Sequence, residues 1–203
     1  MATRRRITMT ALVLVLAAAA TSCGGSDKKK TAEGVQETRP VTINGTALPK
    51  LPQSGADPAV GKTIPEATGG SFDGSPVAIR NDGRPKLIVF VAHWCPHCRK
   101  EVPLLAAYLK SHPLPAGVDL YTVSTDVVSN RPNYPPSAWL AKEHWTVKTL
   151  ADSDKGQAAD AFGLTAFPYF VAADAQGNVV ARTSGEITTD QFAALAQLTL
   201  GNR

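Results

Sequence analysis

Cysteine is scarce in this chain, and so are aromatic residues, long apolar runs and any real surplus of one charge. Of 203 residues, three are cysteine, two are methionine and 6% are aromatic. Three cysteines cannot build the disulfide framework that small secreted domains use in place of a core. No second Cys-x-x-Cys accompanies Cys95 and Cys98, which removes the four-ligand structural zinc site. No apolar stretch reaches the about 20 residues that a membrane-spanning helix needs. The formal net charge of +4 is confined to the start, because Arg4, Arg5 and Arg6 are the only charged residues before Cys23. Without them 18 basic residues face 17 acidic ones and the charge falls to +1. The remainder therefore gives no reason to expect a nucleic-acid partner.

What is present divides the chain into three parts. Residues 1–22 have the parts of a signal peptide: a cationic start, then the apolar run Ala11 to Leu16 and the alanines Ala17 to Ala20. The next segment, Ala20-Thr21-Ser22-Cys23-Gly24-Gly25, resembles a bacterial lipobox, in which the Cys is lipidated and becomes the new N-terminus. Ala20 departs from that pattern, which usually has a large aliphatic residue there. Ordinary cleaved secretion and an uncleaved anchor are the alternatives. Residues 23–55 are polar, carry Lys28-Lys29-Lys30 and read as a lipid-anchored flexible linker. Residues 56–203 read as the folded domain, with 43% hydrophobic and 19% charged residues in the chain as a whole.

Within that domain Asp73-Gly74 marks a hairpin turn between two short strands. Lys86 to Ala92 is a continuous apolar, β-branched run, expected as a central strand buried on both faces. Pro96 suits the first turn of a helix that Val102, Leu104, Leu105, Tyr108 and Leu109 continue. A strand is expected over Val118–Ser124, then a Pro-rich loop with Tyr134, then a short helix at Ser137–His144 with Trp139 and Leu140 inward. A helix over Asp154–Phe162 ending at Gly163, two strands at Tyr169–Ala173 and Val179–Thr183, and a final helix from Thr188 complete the pattern. Apolar strands separated by helices imply an α/β sandwich.

Cys95 falls where a buried strand gives way to a helix, so unpaired N–H groups and the helix dipole favour its thiolate. Cys98, one turn on, lies on the same side and is expected to be the more buried of the two. Those placements make Cys95 the attacking sulfur and Cys98 the resolving one. His97 adds positive charge near Cys95, which stabilises the reduced form and makes the disulfide more oxidising. The competing reading is a Cu(I) site built from the two cysteines with His97 or His93. Haem attachment fails because Arg99, not His, follows Cys98.

Val89 to Pro103, with Trp94-Cys95-Pro96-His97-Cys98 at its centre, resembles the active-site strand and helix of thioredoxin-like proteins, and is most similar to the exported TlpA/ResA-type group. Pro103 matches that family's helix proline. Ala166-Phe167-Pro168-Tyr169-Phe170 resembles its second signature, a loop whose proline is cis and faces the disulfide. The resemblance runs from about Ala59 to Leu200. It implies a thioredoxin-like three-layer sandwich, with a central mixed β-sheet flanked by helices and an N-terminal β-hairpin extension. It further implies a monomeric thiol–disulfide oxidoreductase outside the cytoplasm, acting on exported protein thiols and disulfides and served by a membrane redox partner. Cys95 and Cys98 carry the chemistry, Trp94, Pro96, His97, Phe167 and Pro168 support it, and no cofactor or metal is required. Trp94 either stacks beside a substrate or shields the sulfur; Tyr134 and Trp139 either meet a partner or pack.

Two departures limit the resemblance. Thioredoxins carry a buried Asp six residues before the first active Cys, where this chain has Val89, so the proton acceptor for Cys98 is unassigned. The Pro96-His97 dipeptide belongs to DsbA-type oxidants, whereas the framework belongs to TlpA-type reductants. The sequence leans to an oxidant or isomerase. A peroxiredoxin-like activity lacks support, because Ala92 stands where that family has Thr.

Overall fold

The computed structural model describes residues 34–201. The expected signal segment, Cys23 and the linker as far as residue 33 lie outside the described residues. Among the described residues no helix is long and apolar enough to cross a membrane.

The elements run β1 (Thr42–Asn44), β2 (Glu66–Gly70), β3 (Pro76–Ile79), β4 (Lys86–Val91), α1 (Pro96–Ser111), β5 (Asp119–Ser124), α2 (Pro136–Lys142), β6 (Lys148–Ala151), α3 (Gln157–Ala161), β7 (Tyr169–Ala173), β8 (Val179–Ser184) and α4 (Thr189–Leu198). Five strands form a mixed sheet in the order β6-β5-β4-β7-β8. β4 runs parallel to β5, and β5 to β6, while β7 pairs antiparallel with both β4 and β8. This is the thioredoxin-like arrangement that the two sequence signatures imply.

β4 is buried along its whole length, as its unbroken apolar run requires. Leu87, Val89 and Val91 face a core shared with Cys98, Val102 and Leu105 of α1, Trp139 and Leu140 of α2, and Phe192 and Leu195 of α4. Ile88 and Phe90 point the other way, into a core closed by Phe162, Tyr169, α3 and the smaller sheet β1-β2-β3. The outer layer on that side is therefore part helix and part sheet. The Asp73–Gly74 hairpin joins β2 to β3, with Gly74 at φ +84. Thr188 starts α4 with a capping box shared with Gln191.

The structure corrects the sequence reading at the domain's edge. Residues 34–55 were expected in the linker, yet from Arg39 onward they are part of the folded unit. β1 pairs with β2, Arg39, Val41 and Leu48 are buried, and the Leu48 and Leu51 amides bond to the Ala161 and Gly163 carbonyls. Glu37 accepts from the Ser137 amide and hydroxyl at the start of α2. Three-residue β1 and four-residue β6 were not expected, being too short and too polar to show a period. α3 is also shorter than expected, starting only at Gln157.

Arg182 is the buried fastener of the N-terminal segment. Its side chain pairs with Asp57 and donates to the Pro49 and Phe162 carbonyls and the Tyr169 hydroxyl. The guanidinium in turn holds the Asp57 carboxyl below its ordinary range. Truncating a buried charge leaves its partners unpaired, which costs more than the pair contributes as a unit. We therefore expect Arg182→Met to lower stability by about 3 kcal/mol in urea titrations. The double variant with Asp57→Leu should recover at least half of that loss. Equal losses in the single and double variants would show that the pair does not carry the attachment.

Candidate active site

The site forms where β4 stops. The Cys95 amide bonds to the Ala92 carbonyl, and the Arg99 amide closes the first turn of α1 onto the Cys95 carbonyl. Cys95 is the N-cap residue of α1, with extended backbone (φ −68, ψ 123), and Pro96 takes the first helical position. Cys95 thus stands at the helix start, the end of a helix where unpaired N–H groups and the dipole favour negative charge, although its side chain makes no cap hydrogen bond. Both cysteines are free thiols and both are buried, Cys98 completely. Burial pushes the Cys98 thiol well above its ordinary range, and the neighbouring Cys95 and Glu101 charges push it further.

Phe167 and Pro168 arrive from the loop before β7, and their peptide bond is cis. The Cys95 sulfur lies 3.9 Å from the Phe167 carbonyl oxygen. Trp94 is held rather than free. Its indole N–H donates to the Asp126 carbonyl at 2.8 Å, its ring meets Phe167 edge-on, and the Arg131 guanidinium sits 5.3 Å from its centroid. His97 is exposed and turns to the loop after β8, where its Nδ1 lies 2.5 Å from a Glu186 carboxylate oxygen. Of the residues expected at the site, Phe167 approaches the Cys95 sulfur and meets Trp94, His97 turns outward to Glu186, and Cys23 lies outside the described residues.

The copper reading loses one of its two candidate histidines here. His93 is fully buried, its Nδ1 donates to the Pro132 carbonyl, and its Nε2 accepts from the Val128 amide. Its own carbonyl accepts from the Asn133 side chain. Both ring nitrogens are thus spent on pinning the loop after β5. Among the described residues no group of three or more His, Cys, Asp or Glu side chains is arranged to hold a metal ion.

One residue was missed by the sequence reading. Glu101 is only 2% exposed although it carries a carboxyl, and the Ile187 amide donates to both its oxygens at 3.4 and 3.3 Å. Burial raises its pKa to about 7, against the pull of the Ile187 bond and with a push from the Glu186 charge. The signal was in the spacing. Cys98, Glu101, Val102 and Leu105 stand at i, i+3, i+4 and i+7, so an acid occupies the apolar stripe of α1 one turn beyond the second sulfur. A carboxyl raised toward neutrality thus stands one helical turn beyond a thiol whose own pKa is raised, and its charge adds to that rise.

Comparison with known proteins places this geometry. The Redoxin family model matches residues 59–198. Sporulation thiol-disulfide oxidoreductase A of Bacillus subtilis is 25% identical over 122 residues, covering 60% of this chain and 72% of that protein. The structure of dsbF from Mycobacterium tuberculosis, in mixed oxidized and reduced forms, superposes with a TM-score of 0.53 at 25% identity, covering 65% of this chain and 93% of that one. The thioredoxin domain of a Bacteroides vulgatus thiol-disulfide oxidoreductase gives 0.52 at 26% identity, covering 70% and 99%.

The raised pKa of Glu101 carries a cost with a definite sign. Unfolded, a glutamate ionises near pH 4.3, whereas this one holds its proton to about 7. Stability is complete below the unfolded value, falls as the pH rises between the two, and stays low above the folded one. We expect Glu101→Gln to remove that fall and to be more stable than the native chain at pH 8, by up to about 3 kcal/mol. Denaturant titrations of the reduced proteins at pH 5 and pH 8 check this. Two proteins with the same pH dependence would show that Glu101 does not titrate as assigned.

Proposed function

The chain belongs to the Redoxin family, and from that premise we propose that it is an extracytoplasmic thiol–disulfide oxidoreductase exchanging a Cys95–Cys98 disulfide with exported protein clients. The observation that carries the reading is the pair of sulfurs at the start of α1, one at its N-cap and one buried a turn deeper, faced by the Phe167–Pro168 loop.

In the reducing direction the Cys95 thiolate attacks one sulfur of a client disulfide. A mixed disulfide forms and the other client sulfur leaves as a thiolate. Glu101, in its carboxylate form, takes the proton from Cys98, and the Cys98 thiolate attacks the Cys95 sulfur. The internal disulfide closes, the second client thiolate departs, and two electrons have passed from the dithiol to the client. Oxidation of a client is the same sequence reversed. The half-buried Phe167 beside Cys95 offers its backbone polar groups to an extended client segment, in the manner of strand addition. Trp94, fixed by Asp126 and Arg131, forms one wall of that approach.

Direction depends on the potential of the pair: disulfides near about −120 mV oxidise clients and those near about −270 mV reduce them. The Pro96-His97 dipeptide favours the oxidising or isomerising side. The reducing side, which a membrane redox partner would serve, is favoured by the Glu186 carboxylate that His97 faces. The leader in residues 1–22 and Cys23 support export with a lipid anchor on the outer face of the cell membrane.

Two experiments test this reading. Cys95→Ser should abolish turnover of a disulfide client, while Cys98→Ser should accumulate mixed disulfides visible on non-reducing gels; full turnover by Cys95→Ser would reject the assignment. In cells, Cys23→Ser should move the protein out of the membrane fraction, and an unchanged membrane association would remove the lipid anchor from the account.

A further inference from the structure

Three consecutive residues in the loop between β8 and α4 bond to Pro168, to His97 and Lys100, and to Glu101. The Gly185 amide donates to the Pro168 carbonyl at 2.8 Å, behind the cis bond. The Glu186 carboxylate takes His97 Nδ1 at 2.5 Å and Lys100 Nζ at 3.3 Å, both on the outer face of α1. The Ile187 amide donates to Glu101 on the inner face of the same helix. Glu186 is thus the charge between the imidazole of the active dipeptide outside and the buried acid within. Nothing in the Cys-x-x-Cys segment announces it, since it lies 89 positions from His97.

We propose that Glu186 is a positioning residue that holds the Cys95–Cys98 pair at a lower reduction potential than its Pro96-His97 dipeptide would otherwise confer. The proposal rests on the dithiol reading of the site and says how that dithiol is tuned. Its sign follows from the charges of the three side chains that meet at this corner. Lys100 brings one positive charge, Glu186 one negative charge, and the imidazole at most one positive charge. With the carboxylate the three sum to between zero and one positive charge. Without it, even an imidazole that loses its proton entirely leaves the group no less positive than before. The Glu186 carboxyl is held below its ordinary range, first by the hydrogen bond from His97 and then by that from Lys100, so its charge is present at neutral pH.

A more positive surround at the first turn of α1 favours the Cys95 thiolate, hence the dithiol over the disulfide, hence a higher potential. The carboxylate opposes that. It also adds to the push that keeps Glu101 protonated up to about pH 7. Glu186→Gln should therefore move two observables: the potential of the pair, and the pH at which the Cys98 step gains speed. A surface ion pair with only a structural part to play would move neither, because exposed pairs contribute little to stability.

The test is the thiol–disulfide equilibrium against glutathione redox buffers for the native chain, Glu186→Gln, His97→Ala and the double variant, all as full-length protein. Glu186→Gln should raise the equilibrium constant for reduction of the pair at least threefold, which is about 14 mV upward for a two-electron couple. His97→Ala should lower it, and the Glu186→Gln effect should be at least as large in the His97→Ala background, where no imidazole can release a proton to offset it. The inflection near pH 7 in the Cys98 step should shift to lower pH in Glu186→Gln. An unchanged or lowered potential in Glu186→Gln, with the pair still cycling, would overturn this inference and leave the proposed function standing. Absence of any reversible Cys95–Cys98 couple in the native chain would instead overturn the function itself.

Discussion

Strand β4 has no solvent face, and the rest of the structure follows from that constraint. A strand buried on both sides cannot turn at its end without exposing or pairing its backbone, so the chain must leave it into another hydrogen-bonded element. It leaves through Ala92, whose carbonyl takes the Cys95 amide, straight into α1. The first sulfur is thereby fixed at the helix start, where the unpaired amides are, and the second is fixed one turn deeper, against Val91 and Phe192. Reactivity and burial are thus assigned to the two sulfurs by the same geometry. The loop after β5 is tied to that junction by His93, and the loop before β7 by its approach to Cys95, so both walls of the site take their position from the end of β4.

Burying a thiol that must give up its proton is costly, and the chain meets that cost with a second buried group. Removing water from Cys98 destabilises its thiolate; removing water from Glu101 destabilises its carboxylate. The two stand on one stripe of α1, where the Glu101 charge makes the Cys98 thiolate harder to form, and in the proposed exchange a proton passing from Cys98 to Glu101 leaves only one buried charge at a time. The Ile187 amide gives that charge a donor. A surface carboxylate would cost less stability, but it would lie on the wrong side of the helix to meet the second sulfur.

The sequence made the sulfurs legible because their signal is local. A strand run, a proline at the first helical turn and a two-residue spacing all fall within Lys86 to Cys98, and the cores on either face of β4 follow from its apolar run. What it hid is non-local or too short for a period. β1 and β6 span three and four residues and owe their structure to their partners. Residues 39–55 look like linker because few are apolar, and they are held instead by backbone bonds to α3 and by Arg182, more than a hundred positions away. His93 was legible as a possible ligand and turned out to be a clip, since nothing local tells a ring that binds metal from one that binds two backbone groups. Glu101 carries no local mark of its burial beyond its place on the apolar stripe of α1, because an acid on a helix is ordinarily solvated.

The conflict between an oxidant's dipeptide and a reductant's framework has a physical resolution in the loop after β8. A dipeptide acts on the sulfur through the charge it places nearby, and that charge depends on what faces it as much as on its own residues. In this fold the outer face of α1 is closed by the Gly185-Glu186-Ile187 corner, and the corner is fixed independently by the Gly185 bond to Pro168 and by Ile187 in the core beside α4. Glu186 is therefore a stationary charge rather than a floating one, and His97 turns to it. Two chains with the same Cys-Pro-His-Cys segment need not share a potential if one has a carboxylate at this corner and the other does not. The residues between the cysteines consequently specify only part of the electrostatics, and a residue 89 positions beyond His97 contributes another part.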